Sequence, residues 1–379
     1  MEHNREQLHQ ALVASFEKSG LNLSALSPSE LAEKINSFLE SIDESAADKH
    51  AAPLFWLVTG FGPLEPLLQD DTITEILVNG PEQIYIERNG RLEKSDRVFS
   101  SLSELKNIIG RMASLAGRRI DTAQPYVDAR LADGSRINAI IPPLSRPWPI
   151  LTIRKFARQM FTLLDLVKMQ TMSNQMAEFL KSAVLARQNI LISGSTGAGK
   201  TSLLNALAAA VPASERLIVI EDTAEIKLNH PHLVTLEARQ SNMEGKGEVS
   251  IRALLRNALR MRPDRVIIGE VRGGEALDML QAMNTGHQGA VTTIHANAPH
   301  EALLRLETMA MMTDIEMPLL AIREQINMAI RYILQIERLP SGERKMVALS
   351  ELIKRPREAE YLVKPLFIYD KTRQEFKTA

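Results

Sequence analysis

Eight residues limit the possible folds of this chain more than any others. Gly194-Ser195-Thr196-Gly197-Ala198-Gly199-Lys200-Thr201 fit the pattern GxxxxGK[ST] at every fixed position. The octet follows the apolar run 189–193, which reads as a buried strand, and opens the Ala/Leu-rich stretch 201–210, which reads as a helix. Strand, glycine-rich turn and helix in that order aim backbone N–H groups and a positive helix end at one anion. Such a loop cradles nucleotide phosphates, with Lys200 at the β- and γ-phosphates and Thr201 on Mg2+. No [NT]KxD guanine signature occurs, so ATP is the expected nucleotide.

The surrounding pattern is α/β. Apolar strand candidates at 189–193, 217–220, 233–237, 265–269 and 290–294 alternate with helical stretches. Runs such as LIVI and RVIIG suit strands buried on both faces, hence a mostly parallel sheet covered by helices. Residues 332–336 and 345–349 around Ser341-Gly342 read as a closing hairpin.

Upstream the period changes. Residues 1–50 read as a helical segment, with Leu8, Leu12 and Phe16 on one face. A second helix opens at Pro28 behind the cap Ser27 and carries Leu31, Ile35, Phe38 and Ile42. Residues 51–156 read as an α+β domain, with turns at Asn89-Gly90 and Asp133-Gly134 and a helix over 102–116. Four prolines crowd residues 142–149, which by composition alone is a linker. The strand-like run 151–154 allows a hairpin loop instead.

Composition removes other chemistries. The 379 residues include no cysteine, which excludes disulfides, thiol catalysis and thiolate metal sites. The net charge of −1 predicts no global field for nucleic acid. The polar start is not a signal peptide, and no apolar run approaches the roughly 20 residues that cross a bilayer. A cytoplasmic protein is expected.

A motor ATPase needs a carboxylate near the γ-phosphate to orient or deprotonate water. Two acidic clusters follow strands: Glu221-Asp222-Thr223-Ala224-Glu225, and Glu270 behind Gly269. Gly269 stands where a metal-binding Asp usually stands, so Mg2+ is expected to rest on Thr201, phosphate oxygens and water. His287 and His295 flank one strand candidate and suggest phosphate sensing or subunit contact. Arg252, Arg256 and Arg260 recur at i, i+4, i+8, with Arg262, Arg265 and Arg272 beyond. Like charges at that spacing repel by a few tenths of a kcal/mol per pair, roughly, so they either meet an acidic subunit surface, nucleotide phosphates or single-stranded nucleic acid, or form a solvated face. No Phe, Tyr or Trp occurs from 180 to 331, which weakens the nucleic-acid reading.

Together GSTGAGKT, IEDTAEI, RNALRMRPDRVIIGEVRG, TGHQGAVTTIHAN, DARLADGSRIN and LTIRKF resemble the secretion ATPase superfamily of type II and type IV secretion and type IV pili. The likeness is nearest to its CpaF/TadA-type branch, which assembles tight-adherence (Flp) pili, and it covers about residues 55–355. The resemblance implies a hexamer whose subunits pair an N-terminal α+β domain with a RecA-like ATPase domain spanning 163–379. It places the linker at 157–162 and the proline segment inside the N-terminal domain. Gly194–Thr201 would be the Walker A loop, Glu221–Glu225 the Asp box, Gly269-Glu270 an atypical Walker B and Thr292–Asn297 the His box, with His287 a second matching histidine. Arg136 and Arg154 would be N-terminal arginines that reach the phosphates. Glu270 would position or activate water, assisted by Glu225, while His295 and Arg272 relay nucleotide state. The implied partners are other copies of the chain, an inner-membrane platform holding the protein peripherally, and a pilin-like cargo, with no nucleic acid.

Overall fold

A computed structural model describes residues 5–19, 28–42, 60–88, 90–131, 134–155, 161–239, 247–355 and 360–379. Ser27, Asn89, Asp133 and residues 157–160 of the expected linker lie outside the described residues. The chain divides into two compact units, Met1–Arg158 and Gln159–Ala379.

The first unit begins with α1 (Arg5–Lys18) and α2 (Pro28–Glu40). Leu8, Leu12 and Phe16 are buried on α1, as four-residue spacing on a helix requires. On α2 the buried pair is Ile35 and Leu39, whereas Ile42 lies past the helix end and is exposed. The short α3 (Glu65–Gln69) leads into β1 (Ile73–Asn79), β2 (Ile84–Arg88) and β3 (Arg91–Lys94). Then come α4 (Leu102–Leu115), β4 (Tyr126–Arg130), β5 (Arg136–Ile140) and β6 (Ile150–Arg154). The strands form one sheet in the order β3-β2-β1-β6-β5-β4, antiparallel throughout. Ser101 caps α4 by accepting the Glu104 N–H. The apolar face of α4 (Leu105, Ile108, Ile109, Met112) shares a core with Ile76, Ile137, Leu151 and Ile153. Because β5 pairs with β6, residues 141–149 connect two strands of this sheet.

The second unit opens with α5 (Leu163–Lys168), capped reciprocally by Thr162 and Asp165, and α6 (Asn174–Leu185). It continues through β7 (Ile190–Gly194), α7 (Lys200–Ala208), β8 (Leu217–Glu221), β9 (Leu233–Glu237), α8 (Ile251–Ala258), β10 (Arg265–Ile268) and α9 (Glu275–Asn284). Next are β11 (Val291–Ile294), α10 (Pro299–Ala310), α11 (Leu319–Ala329) and β12 (Tyr332–Arg338). The chain closes with β13 (Arg344–Ile353), β14 (Leu362–Asp370) and β15 (Glu375–Thr378). The sheet order is β15-β14-β13-β12-β7-β11-β10-β8-β9. It is parallel from β12 to β9 and antiparallel from β12 to β15. The expected closing hairpin, β12 and β13, is thus followed by a further antiparallel pair.

Alternation in the central strands feeds two cores. Ile190, Ile192, Val219 and Ile267 pack with α5, α6 and α7 on one face. Leu191, Ile218, Ile220, Val266 and Ile268 pack with the helices from α8 to α11 on the other. Helices on both faces of a largely parallel sheet make this unit an α/β fold.

Three arginines of that stretch, Arg252, Arg256 and Arg265, find counter-charge inside the chain. Nε of Arg252 and Nε of Arg256 donate to the two oxygens of Asp278 on α9, at 2.6 and 2.7 Å. Arg265 is buried, with Nε on the Glu215 carboxylate at 2.5 Å and Nη1 on the Val184 carbonyl at 2.6 Å. Helix α8 ends before Arg260, so the three arginines do not continue along one α-helix.

Candidate functional site

The glycine-rich loop follows β7, and close packing explains its glycines. A Cβ on Gly194 would lie 2.3 Å from the Ile336 carbonyl oxygen on β12, a distance that no side chain tolerates. Gly199 caps α7 with φ +100, a left-handed conformation that glycine alone adopts without strain. Lys200 is buried, and its Nζ donates to the carbonyls of Gly194 and Ser195 at 3.0 and 2.9 Å. Ser195, Thr196, Gly197, Ala198 and Thr201 complete the loop, with Ala198 buried beneath it.

The other site groups come from the carboxyl ends of neighbouring parallel strands, where ligands bind in open α/β sheets. Glu221 ends β8, Glu270 follows β10 and His295 follows β11. The ring nitrogens of His295 lie 3.4 and 3.5 Å from Lys200 Nζ. Nε2 of His295 is 2.9 Å from Oε1 of Glu270, whose Oε2 accepts from Nη2 of Arg272 at 2.8 Å. Nη1 of Arg272 is 3.6 Å from Asp222. Lys200, His295, Glu270, Arg272 and Asp222 therefore form one connected chain of polar and charged groups. Burial, then the Lys200 ammonium, push His295 below its ordinary value, so its ring is neutral near pH 7. A carboxylate only accepts, so Nε2 carries the proton it donates to Glu270. The bond to Glu270 holds Arg272 firmly charged, helped by the charges of Asp222 and Glu225.

Gly269 has a steric cause. A Cβ there would sit 3.1 Å from Cγ of Glu221. A side chain at 269 would crowd Glu221, which reaches the same place from β8. Its Oε1 accepts the N–H groups of Glu225 and Ile226 at 2.8 and 2.9 Å. Burial still outweighs those bonds and pushes its carboxyl up to about 7. The hydroxyl of Thr293 on β11 donates to the Gly269 carbonyl at 2.7 Å and tethers the two strand ends.

His287 does not join this group. It lies between α9 and β11, at the amino end of a parallel strand whose carboxyl end carries His295. Flanking a strand separates two residues by the strand's length, so only one of the pair reaches the phosphate loop. His300, beyond His295, packs its ring against Tyr361, 6.3 Å between centroids.

In the first unit, Arg136 and Arg154 are direct cross-strand partners on β5 and β6. Glu75 on β1 faces Arg154, 3.9 Å away, and Arg130 on β4 faces Arg136. Sequence reasoning missed Arg130, although its strand pairing follows from the hairpin. It also missed Arg338 and Arg344, which pair across the ends of β12 and β13. Nε of Arg344 donates to the Gly197 carbonyl at 3.2 Å.

The donor set fits a Mg-nucleotide. Thr201 offers the hard hydroxyl oxygen that Mg2+ accepts, at the end of the loop where the phosphates would lie. Among the described residues no cluster of three or more His, Cys, Asp or Glu could hold a metal alone, so phosphate oxygens would have to complete the shell. No described helix is long and apolar enough to cross a membrane.

The family model for type II/IV secretion system proteins matches residues 58–359. A putative conjugal transfer protein of Mycobacterium tuberculosis is 38% identical over 318 residues, 82% of this chain and 89% of that protein. The conjugal transfer protein TrbB of Rhizobium radiobacter is 36% identical over 282 residues, 73% of this chain and 83% of its own. The X-ray structure of the Legionella pneumophila ATPase DotB shares the fold with a TM-score of 0.56 and 22% identity, covering 80% of this chain and 81% of DotB.

Proposed function

Because this chain belongs to the type II/IV secretion system protein family, we propose that it is an ATP-hydrolysing motor that drives protein traffic through a membrane machine. One observation carries the proposal: Lys200 of the phosphate loop is wired through His295 to Glu270 and Arg272 at the carboxyl ends of neighbouring parallel strands. A lysine that holds the nucleotide's terminal phosphates beside a carboxylate that orients water is what phosphoryl transfer to water requires. Bound Mg2+ would neutralise charge on the phosphates and rest on Thr201.

The roles follow from position. Loop N–H groups and Lys200 bind the phosphates. Glu270 orients or deprotonates the attacking water, while His295 and Arg272 fix its carboxylate from either side and report the charge next to it. Glu221 and Glu225 shape the floor beside Glu270, with Asp222 holding Arg272. Arg136 and Arg154 are adjacent cations on the first unit. We assign them the role of meeting the γ-phosphate charge and coupling hydrolysis to movement of that unit.

In this reading the working form is a homohexamer, held peripherally on the cytoplasmic face of the inner membrane by platform proteins. The cargo system is a tight-adherence pilus with pilin-like subunits, supported by the set of motifs from Gly194 to Asn297. A DNA-translocating motor is the rival reading, favoured by relatives named for conjugal transfer. Against it stands the closure of Arg252 and Arg256 on Asp278. ATP turnover measured with and without single- and double-stranded DNA separates the two. A flat response supports a protein motor, and a many-fold stimulation overturns it.

A further inference from the structure

Two polar side chains are buried where β7 and β12 approach the phosphate loop. Ser193 on β7 is fully buried, and Gln335 on β12 is 2% exposed. They are register partners, and Ser193 pairs in turn with Ile294 on β11, so the three lie in one row. Alternation turns Ser193 and Gln335 to the face that carries Leu191, Ile294 and Ile333, which share one apolar core. A hydroxyl or amide placed there costs free energy unless it is hydrogen-bonded. Both direct their donors at one atom. The Ser193 hydroxyl and Nε2 of Gln335 donate to the Ala296 carbonyl at 3.3 and 3.2 Å. Oε1 of Gln335 has no partner among the described residues, so the amide acts here through its donor alone.

Ala296 follows His295, past the end of β11. The last pairing of β11 with β7 is at Ile294, so the strand ladder stops just before the imidazole. Side chains from β7 and β12 anchor the backbone beyond that point. The imidazole reaches Glu270 at 2.9 Å and Lys200 at 3.4 Å together. A 2.9 Å bond stretched by about an ångström is no longer a bond, so small shifts of the backbone matter here. Glu270 has a matching tether, the Thr293 hydroxyl on the Gly269 carbonyl. We infer that Ser193 and Gln335 are positioning residues for hydrolysis: they fix the Ala296 carbonyl and thereby aim His295 at Glu270. This rests on His295 and Glu270 serving the hydrolytic step.

Single-turnover cleavage of bound ATP by the full-length protein tests the inference, with ATP affinity measured on the same sample. Gln335→Met keeps the length of the side chain and removes its donor. It lowers the cleavage rate about tenfold and leaves the Kd for ATP within about threefold, since only the aim of His295 changes. Ser193→Ala, which deletes a single oxygen, acts in the same direction and carries the test if Gln335→Met does not fold. The two together approach a loss of about a hundredfold. In a His295→Ala background Gln335→Met has no further effect, because residues that act through one another are not additive. A purely structural role gives a lower melting temperature, unchanged cleavage per bound ATP, and the same cost with or without His295. That pattern, or a loss of affinity in place of rate, overturns the inference. If His295→Ala itself cleaves ATP at the parental rate, the reading of the hydrolytic site fails with the inference. If His295→Ala is slow while Ser193→Ala/Gln335→Met cleaves normally, the positioning role alone fails.

Discussion

Glu221→Gln tests how a buried carboxylate is held at the centre of the site. Glu221 is 4% exposed and accepts two backbone N–H groups at one oxygen. Burial raises its carboxyl to about 7 despite those bonds, whereas an unfolded glutamate titrates near about 4.3. A group whose pKa rises on folding binds its proton more tightly in the folded state. Its effect on stability is therefore absent at low pH and becomes a cost as pH climbs from the unfolded value to about 7. At about 1.4 kcal/mol per pH unit, the full cost is roughly 4 kcal/mol. Glutamine keeps the shape and the accepting oxygen but carries no charge. The variant should match the parent near the unfolded carboxylate pKa and exceed it by roughly 3–4 kcal/mol at alkaline pH. The probe has to report the second unit. Both tryptophans, Trp56 and Trp148, precede residue 159, so their fluorescence reports the first. Amide hydrogen exchange along β8 in the nucleotide-free protein is the suitable assay. Parallel pH profiles for parent and variant would refute the reasoning, because they would mean that Glu221 is not desolvated.

Other outcomes follow from the same geometry. Arg136→Ala should lose hydrolysis while keeping nucleotide affinity within about tenfold, since an arginine that meets γ-phosphate charge acts mainly on the transition state; a fully active variant removes it from that role. Asp278→Ala leaves Arg252 and Arg256 without their shared carboxylate and should cost about 2 kcal/mol in urea unfolding followed by exchange along α8; no change would show that the pair is solvated. Gly274→Ala places a Cβ 2.6 Å from the Met312 carbonyl oxygen. It should displace residues 311–313 and lower the melting temperature by several degrees, roughly as a loss of 1–3 kcal/mol would.

Much of the second unit was legible because its signals are local. The loop from Gly194 to Thr201, the apolar strands and the acids at their ends follow from short-range pattern. Partners distant in sequence were not legible. An i, i+4 pattern gives Arg252 and Arg256 a common face, but nothing in it points to Asp278, which arrives through packing of α9 on α8. His287 and His295 look equivalent in sequence because both flank one strand; sheet polarity puts only His295 at the end that carries the phosphate loop. Gly269 reads in sequence as a lost metal ligand, and nothing there shows that Glu221 packs beside it. The C-terminal pair β14 and β15 has mixed exposure and weak alternation, so it escaped a reading based on period two. Arg338 and Arg344 lie more than 130 residues beyond the loop, and only the β7–β12 register brings them to it.

The central claim is that Glu270, tied to the phosphate loop through His295, performs the hydrolytic step. Single-turnover hydrolysis of bound ATP by Glu270→Gln tests it most directly, with nucleotide affinity measured on the same sample. The account predicts affinity within a few-fold of the parent and a cleavage rate lower by about a hundredfold or more. Cleavage at the parental rate with intact binding would contradict it.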